Sequence, residues 1–104
     1  MNIEFLYYKD CPSHETALHR LLDILEQEEV GDPVQVIEVK TMEQARALRF
    51  PGSPTIRIDG KDITTLPEDA VYGLTCRAYY REDGRITPLP PADLIRGALT
   101  NAQE

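Results

Sequence analysis

The chain has 104 residues, 41% of them hydrophobic and 28% charged, which suits one soluble globular domain over residues 1–104 with a single modest core. Its net charge of −7 excludes a nucleic-acid binder, since nothing could neutralise a row of phosphates, and disfavours an anionic membrane surface. Two cysteines far apart are not a disulfide framework, and no stretch approaches the roughly 20 apolar residues of a membrane span, so the expected setting is a reducing cytoplasm.

The opening MNIEFLYYKD holds Glu4 inside its apolar run and lacks a small-residue cleavage pattern, which predicts a largely buried strand over Ile3–Tyr8 and no signal peptide. Pro12 suits the first turn of a helix. From there Ala17, Leu18, Leu21, Leu22 and Leu25 recur at helical spacing and form the inward stripe, with Asp23, Glu26 and Glu28 mostly opposite. Gly31, Asp32 and Pro33 stop that helix. PVQVIEV predicts a second strand with Val34, Val36 and either Ile37 or Val39 turned inward.

Thr41 and Gln44 have capping-box spacing, and Ala45, Ala47, Leu48 and Phe50 follow as a short second helix broken by FPGSP. TIRID is a third strand, with Ile56 and Ile58 on one face and Thr55, Arg57 and Asp59 on the other, ended by Gly60. Lys61–Thr75 has no clear period and contains Pro67 and Gly73, so it predicts a long loop with at most a helical turn. CRAYY, Cys76–Tyr80, is the expected fourth strand, followed by a turn at Glu82, Asp83 and Gly84. PADLIRGALTNA closes the chain as a helix with Leu94, Ile95 and Leu99 inward. No internal repeat, low-complexity tract or linker interrupts the series. The order β-α-β-α-β-β-α predicts an α/β fold, a mixed four-stranded sheet with helices on both faces.

The chemistry-bearing residues stand at two junctions. Cys11 and His14, three apart in CPSH, fall where the first strand gives way to the first helix. Unpaired N–H groups and the positive end of the dipole favour an anion there, which lowers a thiol below its usual value of about 8.5. His14, one turn on, would add stabilisation as an imidazolium, and Lys9 some more, while Asp10 and Glu15 oppose it. Against this stand plainer readings: Cys11 as a small packed residue, and His14 as an exposed or locally bonded polar residue. His19 fits a solvated helix edge, and Tyr7, Tyr8, Tyr79 and Tyr80 fit sheet packing. Cys76, opening the expected fourth strand, would lie at the end of the sheet away from Cys11 as a buried core cysteine. Only if the long loop folded back would the two Cα atoms come within the roughly 7 Å a disulfide needs, making Cys76 a candidate resolving thiol.

The element order, with CPSH at the first junction and GSPT directly before the third strand, resembles the thioredoxin-like superfamily. YGLTCRAY and the whole chain are also similar to small bacterial thioredoxin-like proteins that carry an alkylmercury lyase-related label. The resemblance implies a reactive sulfur at Cys11 and a cis peptide bond at Ser53-Pro54 beside it. Pro12, Ser53 and Pro54 would then form the surface that meets substrate, and the Ser53 backbone groups would pair with an extended thiol-bearing ligand. His14 stands where the family's second motif cysteine would be, so a disulfide within the motif is excluded.

Three functions remain open at this stage. One is a thiol-disulfide oxidoreductase using the Cys11 thiolate in mixed disulfides with a small thiol or a protein cysteine, without a cofactor. Another is a soft-metal site for zinc, copper(I) or mercury(II) through Cys11 and His14, short of the usual four ligands unless Cys76 joins. The third is a non-catalytic adaptor that works through its acidic helices or the ITPLPP segment.

Overall fold

The computed structural model describes residues 1–66 and 68–103. Pro67, a breaker in the sequence reading, lies outside the described residues. The elements in chain order are β1 (Ile3–Tyr7), α1 (His14–Gln27), β2 (Val34–Glu38), α2 (Met42–Ala47), β3 (Thr55–Ile58), β4 (Lys61–Asp62), β5 (Tyr79–Tyr80), β6 (Ile86–Thr87) and α3 (Ala92–Gln103). The fold is mixed α/β: β1 to β4 form a four-stranded sheet in the order β2-β1-β3-β4, and β5 and β6 form a separate hairpin. β1 runs parallel to β2 and antiparallel to β3, with Phe5 opposite both Val36 and Ile56.

The period-2 alternation of β1 divides its side chains between two cores. Ile3 and Phe5 join Ile56 and Ile58 beneath α1 and α3, whose Ala17, Leu21, Ile24, Leu25, Ile95 and Leu99 complete that cluster. Leu6 points the other way, into a smaller cluster with Val39, Ala45 and Phe50 next to α2. Helices therefore cover both faces. Each fully buried side chain of this size contributes about 1.5–3 kcal/mol. The inward stripe of α1 is rotated from the expected one: Ile24 is buried and Leu22 is 46% exposed. Val36 is likewise 51% exposed, on the outer strand of the sheet.

Helix ends follow local chemistry. Thr41 Oγ1 accepts the Gln44 N–H at 3.0 Å, as its spacing predicts, while Gln44 Oε1 reaches back to the Lys40 N–H at 2.8 Å. α1 stops before Gly31: Glu29 takes a left-handed φ of 56°, and the Val30 N–H returns to the Leu25 carbonyl at 2.8 Å.

The largest correction concerns the fourth strand. Lys61–Asp62 pairs with β3, joined to it through Asp59 and Gly60, both at positive φ (53° and 81°), in the geometry of a two-residue hairpin turn. Cys76–Tyr80 is not a sheet strand. Within it the strand residues are Tyr79–Tyr80, paired with Ile86–Thr87 across the turn containing Gly84. The Lys61–Thr75 stretch thus supplies a sheet strand that its lack of period concealed.

Candidate functional site

The chain leaves β1 at Tyr7 and turns sharply, the Cys11 N–H donating to the Tyr8 carbonyl at 3.0 Å. Helix α1 begins only at His14, with Ser13 as its N-cap, so Cys11 sits ahead of the first turn and not within it. The Ser53-Pro54 bond is cis. Fully buried Ser53 ties three segments together. Its Oγ accepts the Tyr8 N–H at 3.0 Å, and its carbonyl oxygen accepts from Cys11 Sγ at 3.5 Å. Its N–H donates to the Thr75 carbonyl at 2.8 Å, and its carbonyl also accepts the Arg77 N–H at 2.8 Å.

Those last two bonds form a parallel bridge between Ser53 and Cys76. Thr75–Arg77 lies across the Ser53-Pro54 turn as a strap, occupying the backbone groups expected to receive an extended ligand. Gly52 permits the contact: a Cβ there would come within 3.1–3.2 Å of Arg77 Cβ, Cα and N. Arg77 is 8% exposed, and its Nη1 and Nη2 donate to the two Asp62 carboxylate oxygens at 2.7 and 2.8 Å. Nη2 also donates to Thr64 Oγ1 at 2.5 Å, and the guanidinium lies 4.6 Å from the centre of the Tyr79 ring. The Tyr79 hydroxyl donates to the Pro54 carbonyl at 2.5 Å.

The strap overturns the expected position of Cys76. It is exposed, not buried in the core, and neighbours Cys11 instead of lying at the far end of the sheet. The physical reason is the bridge to Ser53, which folds the long connection back over the Cys11 corner. Both thiols are free, Cys11 being only 1% exposed. The Cys76 thiol is pushed up from its ordinary value, first by hydrogen bonding to Cys11, then by burial of its sulfur and by negative charge on Cys11. The Tyr8 hydroxyl, donated to Asp10 Oδ2 at 2.9 Å, is pushed up mainly by that bond and that carboxylate, with a smaller contribution from charge on Cys76.

The structure therefore brings Cys11, Ser53, Pro54 and Cys76 together. His14 stacks on Tyr7, with ring centroids 4.7 Å apart, so the observed contact of its imidazole is aromatic. Pro12 is exposed at the mouth of the turn. Among the described residues no group of three or more His, Cys, Asp or Glu side chains is arranged to hold a metal ion. Among the same residues no helix is long and apolar enough to cross a membrane. Sequence reasoning missed Gly52, Asp62, Arg77 and Tyr79 as parts of this site. The Asp59-Gly60 pair was the available signal for Asp62, since it announces a hairpin return.

The Ser53 residue that bridges to Cys76 also accepts from Cys11 Sγ, so one exposed thiol and one buried thiol share this turn. They can offer two soft ligands. Comparison of the chain with protein-family models, with curated proteins and with solved structures gives no match.

Proposed function

We propose that this protein is a thiol–disulfide redox protein of thioredoxin-like fold, working through Cys11 and Cys76. The observation that carries the reading is the strap that sets an exposed thiol beside the buried one at the Ser53-Pro54 turn. The strand order β2-β1-β3-β4 with β3 reversed, and helices on both faces, support the fold assignment. The single-thiolate scheme expected for Cys11 becomes a two-thiol scheme, because the second sulfur comes from outside the CPSH motif.

An incoming small disulfide meets Cys76 first. The Cys76 thiolate attacks one of its sulfurs, forming a mixed disulfide and releasing one small thiolate. Cys11, as thiolate, then attacks the Cys76 sulfur, forming the Cys11–Cys76 bond and expelling the second small thiolate. Two protein thiols are oxidised and one small disulfide is reduced to two thiols; the reverse sequence reduces the protein. No bound cofactor enters, and two free thiols suit a reducing compartment such as the cytoplasm. Small thiols fit better than an extended polypeptide, since the Ser53 backbone groups that would pair with one already hold Thr75 and Arg77.

A second reading has its own support: two neighbouring thiolates suit a soft ion such as copper(I) or mercury(II), which accepts two ligands in line. One experiment separates the two. Wild type, Cys11→Ala and Cys76→Ala are incubated with glutathione disulfide and analysed by mass spectrometry after alkylation. The redox reading expects an internal disulfide in wild type and a glutathione adduct on Cys76 in Cys11→Ala. Wild type that keeps both thiols, or accumulates only a mixed disulfide, overturns it. Stoichiometric copper(I) binding without thiol exchange favours the metal reading.

A further inference from the structure

We propose that Arg77 is a positioning residue for the Cys11–Cys76 couple: its fork onto Asp62 locks the strap in the register that bridges Cys76 to Ser53, whose carbonyl also accepts from Cys11 Sγ at 3.5 Å. This rests on the redox reading above. Neighbouring residues of an extended chain point to opposite sides, so when the Arg77 side chain turns toward the β3–β4 hairpin, Cys76 takes the other side of the strap, where it is exposed.

The arrangement around Arg77 is a clamp, not a single contact. Its guanidinium reaches Asp62 on β4 with two bonds, Thr64 beyond β4, and Thr55 Oγ1 at the start of β3 at 3.4 Å. Asp62 Oδ1 is itself fixed by the Thr64 N–H at 2.9 Å and the Thr64 hydroxyl at 3.0 Å. The ring of Tyr79 lies against the guanidinium and carries the strap's far end to Pro54. A planar fork with five donors can satisfy this set, and a lysine ammonium cannot.

A buried ion pair is weak evidence for stability, because desolvation offsets much of its attraction; fixing register is its better-attested use. Here the register concerns one residue, the strap cysteine next to Arg77. A strap held in place raises the effective concentration of one sulfur at the other, and hence the stability of the disulfide between them.

The test equilibrates wild type, Arg77→Lys, Arg77→Met and Thr64→Val in buffers of reduced and oxidised glutathione. The fraction of Cys11–Cys76 disulfide is read by alkylation and mass, and thermal unfolding of each reduced protein checks folding. Arg77→Met is expected to lower the equilibrium constant at least about tenfold, a potential about 30 mV less negative. Arg77→Lys should recover part of this loss, and Thr64→Val, which removes one acceptor, should cause a smaller one. An unchanged constant in folded Arg77→Lys and Thr64→Val overturns the positioning role while leaving the couple intact. Wild type that forms no such disulfide overturns the redox reading itself.

Discussion

What surrounds a sulfur decides how often it is ionised and what can reach it, and the two cysteines differ in both respects. Cys76 is open to solvent, yet its thiol holds its proton more tightly, first through hydrogen bonding with Cys11 and then through burial of its sulfur. Its thiolate is therefore scarcer at neutral pH than that of a free cysteine. The midpoint of its alkylation rate against pH should lie above about 8.5 in wild type. Removing the largest cause should bring it down: Cys11→Ala is expected to shift the midpoint toward the ordinary value and speed Cys76 alkylation near neutrality. Stopped-flow alkylation across the pH range reads both, and equal midpoints in the two proteins would contradict the pairing. His14, by contrast, spends its ring on Tyr7. Its position in CPSH was legible in the sequence; its partner was not, because stacking depends on how α1 leaves the turn.

At the scale of elements, the strap and the Ser53-Pro54 turn act as one unit because nothing separates their backbones. Gly52, at φ 144°, has Arg77 where a side chain would stand. Gly52→Ala should cost about 1–3 kcal/mol, from backbone strain and from displacement of the strap. Its distinguishing sign is chemical: Cys11, sealed in wild type, should become alkylated in the native protein. Loss of the Thr41 cap by Thr41→Ala should cost about 1 kcal/mol without opening Cys11, since the Thr41 side chain bonds to the Gln44 N–H and takes no part in the bonds from Ser53 to Thr75 and Arg77. Urea unfolding with native-state alkylation checks both variants. The Thr41 cap was legible because it is a contact between residues three apart, 41 and 44. The strap was not, because its pairing joins Ser53 to residues more than twenty positions away with no period to announce it.

Across the whole molecule, Tyr79 links the strap, the main core and the proline turn. Its ring belongs to the cluster under α1 and α3, and its hydroxyl bonds to Pro54. Burial pushes this phenol well above its ordinary value of about 10. A group raised on folding contributes stability that is complete below its unfolded value and lost as pH rises past it. Stability should thus hold to about pH 10 and fall beyond it, as unfolding lets Tyr79 ionise. Tyr79→Phe should show a plateau lower by about 1 kcal/mol, from the lost hydrogen bond, and a shallower alkaline decline. Urea midpoints measured through the alkaline range test this, and parallel declines in both proteins would refute it.

The sequence by itself determined the three main strands, the three helices, the Thr41 cap and the placing of Cys11 and Ser53-Pro54 at two junctions. These rest on periodicity, breakers and turn chemistry, which neighbours within a few residues express. Tertiary structure decided that Lys61–Asp62 completes the sheet, that Leu22 and Val36 face water, and that Cys76 returns to Cys11. Each of these depends on which backbone groups find partners across long stretches of chain. Ser53 had one N–H and one carbonyl to satisfy in a buried turn, and Thr75 and Arg77 supply the partners. That pairing carries the second thiol to the first.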